Sequence, residues 1–218
     1  MAGDQHHFVA GIRAIRDVEA PLGDGRFQPL HMAQDDRNWC GPFALSQVAL
    51  LLQGWSRQAV TNRQTARDPW RSFWHQVEAE FNHGTDEADM TILAGLLSLR
   101  LEVTKTGSAR RIGAVASEAV KSGHVPLVRS TTARWSHWSM VSGIAVDATG
   151  VATALLLLDT SLDAPHVAPY NARQQLQPSR PADAEFRYEC NALDGSRWRA
   201  RFDSIVVVRR DEPREVQS

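Results

Sequence analysis

The chain is poor in several features that would have decided its class at once. It holds two cysteines in 218 residues, Cys40 and Cys190, so no disulfide framework organises it. A Cys40–Cys190 bond would block the thiol and does not suit a chain that reads as cytosolic. It has no paired Cys-x-x-Cys, no His-Glu-x-x-His and no glycine-rich phosphate loop. Those absences remove the usual sequence arguments for zinc or nucleotide, and no cofactor is expected. Gly23-Asp-Gly25 is a turn and not a phosphate cradle. Net charge is almost nil: 24 Lys and Arg against 25 Asp and Glu leave −1, which gives no electrostatic case for nucleic acid or an anionic membrane. The longest apolar run, Val151 to Leu158, is too short to cross a bilayer. The start, Met1-Ala-Gly-Asp-Gln-His-His, lacks the basic region and apolar core of a signal peptide. A cytoplasmic chain is therefore expected, with no nucleic-acid and no membrane partner. Signal-independent export stays open, as does engagement by a protein inhibitor or a secretion machinery.

What is present concentrates in one stretch, Gln34-Asp-Asp-Arg-Asn-Trp-Cys-Gly-Pro-Phe-Ala-Leu45. A glutamine stands six residues before a cysteine, and a Gly-Pro pair and an apolar helical pattern follow. This arrangement puts a thiol at a helix start with an amide donor beside it. The thiolate is the reactive form, and a helix N-terminus stabilises negative charge there. A nearby amide N–H can hold the oxyanion formed when a carbonyl is attacked. Asn38 is a candidate cap, and Pro42 is tolerated in a first turn. Phe43 to Leu52 is apolar on nearly every face, so the helix should be buried, and Gly54 suits its end. The plain alternative is a small core cysteine; Gln34 and the helix-start position argue against it.

The rest of the chain organises around this helix. Phe8 to Val18 has weak helical amphipathicity, with Phe8, Ile12 and Ile15 on one face. Helices are expected over Ser56–Asn62, Pro69–Phe81, Asp86–Leu97 with Thr85 as cap, and Ser108–Ser122. Trp70, Phe73, Trp74, Val77 and Phe81 read as a core stripe. Strands are expected at Leu101–Lys105 and Val125–Arg129. A hairpin of His137–Val146 and Val151–Asp159 follows. Pro165 to Asp183 reads as an exposed loop. Phe186–Cys190 and Trp198–Phe202 alternate about an Asp194-Gly195 turn, and Ser204–Arg209 adds a last strand. Helices first and antiparallel strands later give an α+β class.

A nucleophilic thiol needs a base that takes its proton and later returns it to the leaving group. The sequence contains eight histidines. His6, His7, His75, His83, His124 and His166 read as solvated or structural, and His31 as a loop residue near Gln34. His137 opens a strand, flanked by Trp135 and Trp138. If Ala148-Thr149-Gly150 forms a three-residue loop with Gly150 left-handed, Asp147 faces Val151 and Ser139 faces Asp159. His137 and Ser139 share a face, which sets Asp159 diagonal to His137, about 7 Å away between backbones. A two-residue loop would turn the acid to the wrong face. Asp163 and Asp147 are the weaker alternatives. The acid orients the imidazole and stabilises its charged form.

With these residues in hand, the pattern resembles the papain-like cysteine peptidase superfamily. It is most similar to the branch containing bacterial double-glycine leader (bacteriocin-processing) peptidases and their stand-alone relatives. The matching positions are Gln34, Cys40, Gly41, His137 and Asp159, supported by "HGTDEADMTILAGLLSLRLEV" and "KSGHVPLV" in between. The resemblance covers roughly Gln34 to Ser161. The chain departs from it in having no exporter segment, and in a C-terminal hairpin and an N-terminal extension without counterpart. The resemblance implies a helical half with a central nucleophile helix packed on a C-terminal antiparallel sheet. It divides the chain into an extension (1–29), a peptidase domain (30–210) and a polar tail (211–218).

The implied activity is that of a cysteine hydrolase on a peptide, isopeptide or similar amide. In it Cys40 attacks, His137 is base then acid, Asp159 orients, and Gln34 with the Cys40 backbone N–H binds the oxyanion. Trp138 is placed to screen the His–Asp pair or to fill core. Acyl transfer or glutamine deamidation would use the same residues, and a binding module on an inactive scaffold is the third alternative.

Overall fold

The computed structural model describes residues 4–14, 17–34, 38–63, 67–81, 83–165, 168–177, 185–190 and 197–211. A helix with no charged residue along its length must be surrounded, and α1 (Cys40–Gln53) is: every residue from Cys40 to Leu51 is buried. It ends at Gly54, whose φ of 68° is left-handed and whose N–H bonds Leu50 O. At the other end Trp39, not Asn38, is the capping residue, and it offers no side-chain bond to the first turn.

On one side of α1 lie three more helices. α2 (Arg57–Thr61) is capped by Ser56. α3 (Trp70–Glu80) buries Trp70, Phe73, Trp74 and Val77, and Trp74 meets Phe43 of α1 at 5.4 Å between ring centres. α4 (Glu87–Leu96) is capped by Asp86 in a reciprocal box with Asp89. Thr85, expected as that cap, is instead buried, and its carbonyl accepts the Trp138 indole N–H. Among the described residues no helix is long and apolar enough to cross a membrane.

On the other side is a closed sheet. β6 (Val125–Thr131), β7 (Ser136–Val146), β8 (Ala152–Leu158), β9 (Ala172–Gln175), β10 (Phe186–Cys190) and β11 (Arg197–Arg210) pair antiparallel in the ring order β7-β6-β11-β10-β9-β8, and β7 pairs with β8 to complete it. The protein is thus α+β, with N-terminal helices and a C-terminal sheet that closes into a six-stranded barrel. Closure depends on two long strands that change partner along their length. β7 pairs β6 through Met140 and β8 from Met140 onward. β11 pairs β10 over Arg197–Ala200 and β6 from Arg201, with an irregularity between Phe202 and Ser204 that bends it. The two last strands read from the sequence are therefore one. β5 (Leu99–Lys105) adds to β11, and α5 (Ala109–Lys121), capped by Ser108, packs against β11, β8, β6 and β7.

Two segments differ from the sequence reading. Pro165 to Asp183 is not simply an exposed loop: Ala172–Gln175 is β9, with Gln174 fully buried, and it bridges β8 to β10. Its residues have little strand propensity, and the two flanking ladders override that. The described residues between Phe8 and Val18 are not helical. β1 (Gln5–Phe8) pairs with β7, a turn follows with Gly11 at φ 86°, and β2 (Arg13–Ala14), β3 (Val18–Pro21) and β4 (Phe27–Pro29) form a small separate sheet. The backbone of β1 approaches Gly143 so closely that a Cβ there would lie 2.6 Å from His7 O. The Asp194-Gly195 turn lies outside the described residues, while its flanking strands pair Phe186 with Ala200 and Glu189 with Arg197.

One buried carboxylate ties the helical half to the sheet. Glu87, the first residue of α4 and 5 % exposed, accepts from Ser204 Oγ of β11 at 2.6 Å. It also meets Lys105 Nζ of β5 at 3.0 Å and the Arg129 guanidinium of β6 at 3.3 Å. Burial pushes its pKa up, but Ser204, Lys105, its backbone setting and Arg129 outweigh this and bring it down to about 2. Glu87→Gln is expected to cost on the order of 3 kcal/mol at neutral pH in urea unfolding. Because the folded pKa is depressed, the carboxylate stabilises the fold above its ordinary value of 4.5, and this is lost as pH falls towards about 2. The gap between wild type and variant should close over that interval; a constant gap would refute the assignment.

Candidate active site

Cys40 is the first residue of α1, where the helix N-terminus favours an anion, and it is 5 % exposed. Its neighbour Gly41 is packed so tightly that a Cβ would fall 2.1 Å from Thr85 Oγ1 and 2.8 Å from Met90 Sδ. Only glycine lets the helix start sit this close to α4 and β7. The backbone N–H of Trp138 points at Cys40 Sγ from 3.5 Å, and the His137 imidazole lies near enough to the same sulfur to lower its pKa.

His137 and Asp159 meet through the β7–β8 hairpin. Asp147 N–H bonds Val151 O, Gly150 has φ 81°, and Met140 pairs with Leu158, so Ser139 comes opposite Asp159. The strands do not run regularly between these points. Ser142 is an extra residue on β7 and Thr153 one on β8, and the two shifts cancel. His137 Nε2 lies 2.7 Å from Asp159 Oδ1. With Nε2 engaged there, Nδ1 is the nitrogen left to face the sulfur.

Asp159 is 1 % exposed and held from every side. Oδ1 also accepts Ser161 N–H at 2.8 Å and Ser161 Oγ at 2.7 Å, and Oδ2 accepts the Tyr188 hydroxyl. The Asn171 side chain grips its backbone, accepting Asp159 N–H at 2.7 Å and donating to Asp159 O at 2.8 Å. His31 Nε2 contacts the same carbonyl at 3.0 Å. Neither of the other two acids is the partner of His137. Asp147 caps the hairpin turn through Thr149 and Val151, and the backbone carbonyl of Asp163 accepts Asn171 Nδ2.

Gln34 lies beside this group. Its backbone N–H bonds Thr160 O at 2.9 Å, and its side-chain Oε1 accepts Thr160 Oγ1 at 2.8 Å. Pinning the amide by its oxygen turns the NH₂ end away from Thr160. The structure thus brings Cys40, His137 and Asp159 into one contiguous set, with Gln34 anchored on the residue after Asp159.

Charge follows from these contacts. Burial pushes the Cys40 thiol up, but the imidazole and the Trp138 N–H bring it below its ordinary value. Burial pushes His137 down, and Asp159 and the sulfur more than reverse this, raising it to about 10. Burial pushes Asp159 up, and the imidazole, the Tyr188 hydroxyl and Ser161 hold it far below the carboxylate range. The three shifts favour one pairing, a thiolate beside an imidazolium that faces a carboxylate.

Four residues around it carried little or no sequence signal. Tyr188 reaches the site from β10, and no local pattern links it to Asp159. His31, read as a loop residue, is buried, and burial holds its pKa down, which favours the neutral ring. Asn171 belongs to the stretch read as exposed loop. Ser161 was detectable, because a serine two residues after an aspartate is a common local turn partner. Trp138 is a core residue: it is buried, and its indole packs against Gly41 and bonds Thr85 O. Trp135 takes the edge-on position against the His137 ring, 5.9 Å between centres.

Away from the site, a groove of about 530 Å³ between Trp55, Asn62, Arg67 and Trp70 shares no lining residue with it. Among the described residues no group of three or more His, Cys, Asp or Glu is placed to hold a metal ion.

No protein-family model and no curated protein matches the chain. Among solved structures, the crystal structure of UfSP from C. elegans is similar at a TM-score of 0.48 and 12 % identity. The match covers 95 % of this chain and 34 % of that one, so this chain spans about a third of its length. A superposition this loose establishes neither a common family nor a common activity.

Cys40 is expected to alkylate faster than Cys190 at neutral pH. The rate should fall as pH drops through the lowered thiol pKa. His137→Ala should move the midpoint up towards or past the ordinary 9.0, read from the rate profile and the ultraviolet thiolate band. A midpoint that stays put would exclude the imidazole as the cause.

Proposed function

We propose that the protein is a papain-like cysteine hydrolase that cleaves a peptide or isopeptide amide through a thioester. The observation that carries this is the 2.7 Å contact between His137 Nε2 and Asp159 Oδ1 on an imidazole that also meets the thiol at the start of α1. Unlike a core cysteine, this sulfur has a base, an orienting acid and a helix N-terminus together.

In this reading the thiolate attacks the substrate carbonyl carbon, and the C=O electron pair moves to oxygen. The Gln34 amide and the Cys40 backbone N–H donate to that oxyanion. As the C–N bond breaks, His137 passes its proton to the departing amine, leaving a thioester and a neutral imidazole. Water then attacks the thioester while His137 takes its proton. Collapse releases the acid and restores the thiolate–imidazolium pair. Asp159 keeps one ring orientation throughout and stabilises each charged stage. The pair is intact between the lowered thiol pKa and the raised imidazole pKa, so activity should be bell-shaped, with its alkaline limb near about 10.

A peptide amide is the substrate class implied by the resemblance to double-glycine leader peptidases, with 30–210 as the hydrolase domain. The test is to trap targets on the Cys40→Ala variant and incubate them with wild type. Hydrolysis splits the target, deamidation adds about one mass unit, and transfer adds the acceptor's mass. Cys40→Ala and His137→Ala should each lower turnover by about a thousandfold or more with the fold intact. Turnover that survives Cys40→Ala would end the proposal.

A further inference from the structure

The acid of this site is built by a part of the chain far from it in sequence. Asp159 Oδ1 has three donors: His137 Nε2, Ser161 N–H and Ser161 Oγ. Oδ2 faces the Tyr188 hydroxyl. A buried carboxylate oxygen without a donor is costly, and a carboxylate free to turn about its Cβ–Cγ bond would present either oxygen to the imidazole. Tyr188 is itself fully buried and has little freedom. Its ring stacks on Trp198 of β11, 5.4 Å between centres and 9° between planes. Trp135 closes over both, 6.4 Å from Tyr188 and 6.2 Å from Trp198, while meeting His137 edge-on. Ser139 Oγ, 3.4 Å away, backs the phenol oxygen from β7.

We infer that Tyr188 is a positioning residue, through which the C-terminal β10–β11 hairpin locks Asp159 so that Oδ1 is delivered to His137. The inference rests on the hydrolase reading above and gives that hairpin a task. The groups facing the acid and its partners are His137 of β7, Tyr188 and Cys190 of β10, Cys40 of α1, and His31 ahead of α1. Arg57 of α2 reaches the His31 carbonyl. Of these, Tyr188 is the neutral hydroxyl donor to the carboxylate. Burial and the adjacent carboxylate push its own pKa well up, so it stays a donor through the working range.

Removing the hydroxyl should free Asp159 to turn about its Cβ–Cγ bond, so that Oδ1 is no longer held against His137. His137 then loses basicity and the thiolate loses its counter-charge. The two limbs should move towards each other: the acid limb up, as Cys40 becomes harder to ionise, and the alkaline limb down. The experiment follows the pH profile of Cys40 alkylation, and of turnover once a substrate is trapped. It compares wild type, Tyr188→Phe and Ser139→Ala, with circular dichroism and unfolding checked for each. Tyr188→Phe is expected to move the acid limb up by about one pH unit and to slow Cys40 by roughly tenfold at neutral pH, while Ser139→Ala moves it less. If Tyr188→Phe does not fold, fluorotyrosine replaces the two tyrosines, Tyr170 and Tyr188, with Tyr170→Phe as control. A more acidic phenol donates a stronger bond and draws charge from the carboxylate, so His137 is supported less and the acid limb should then move up.

Folded variants with both limbs unmoved overturn the role of Tyr188 and leave the hydrolase reading standing. A wild-type Cys40 no more reactive than Cys190 at any pH overturns both.

Discussion

A carboxylate enclosed by protein can exist only if its charge is answered, and Asp159 is the point on which this molecule turns. It is 1 % exposed, and its donors come from β7, β10 and the turn after β8. No short segment supplies that set. The barrel has to close before the anion is paid for, and once closed it holds one imidazole in one orientation. The raised basicity of His137 follows from that enclosed negative charge, and the imidazole, with the Trp138 N–H, in turn lowers the Cys40 thiol against the direct repulsion of Asp159.

The helical half solves a different problem. α1 is apolar on every face and needs cover from helices on one side and sheet on the other. Gly41 allows its first turn to touch Thr85, Met90 and Trp138, so the sulfur meets a strand end directly. Glu87 fixes the same junction a few residues away, joining α4 to β5, β6 and β11, and Arg129 stands 5.9 Å from the Trp138 ring. Burial of an ion pair is weak grounds for stability in general. Here the cluster sets the height of α4 against the strand that carries His137.

The legible parts of the sequence were those with short-range causes. The thiol at a helix start, the glycine at its end and the tryptophan stripe of α3 are patterns within one or two turns. The hairpin register was readable from Asp147 and Gly150. It held at the far end only because the extra residue at Ser142 is cancelled by one at Thr153, which no count of alternating residues foresees. Where spacing misled, the cause was equally physical. Phe8, Ile12 and Ile15 mimic a helical face, but the edge of β7 takes Phe8 into a strand with Gln5–His7, and the chain turns at Gly11 before Ile12. Ala172–Gln175 looks like loop until two neighbouring strands supply its ladder.

The amino-acid order alone singled out the residues proposed to carry chemistry, because a thiol, an imidazole and an amide near strong local punctuation declare themselves through composition and period. Tertiary structure decided what surrounds them: the closure of the barrel, the tyrosine on Oδ2, the buried His31 and the aromatic shelf of Trp135 and Trp198. Those contacts join residues up to 128 positions apart, as between His31 and Asp159, and only packing brings such distant groups within bonding distance.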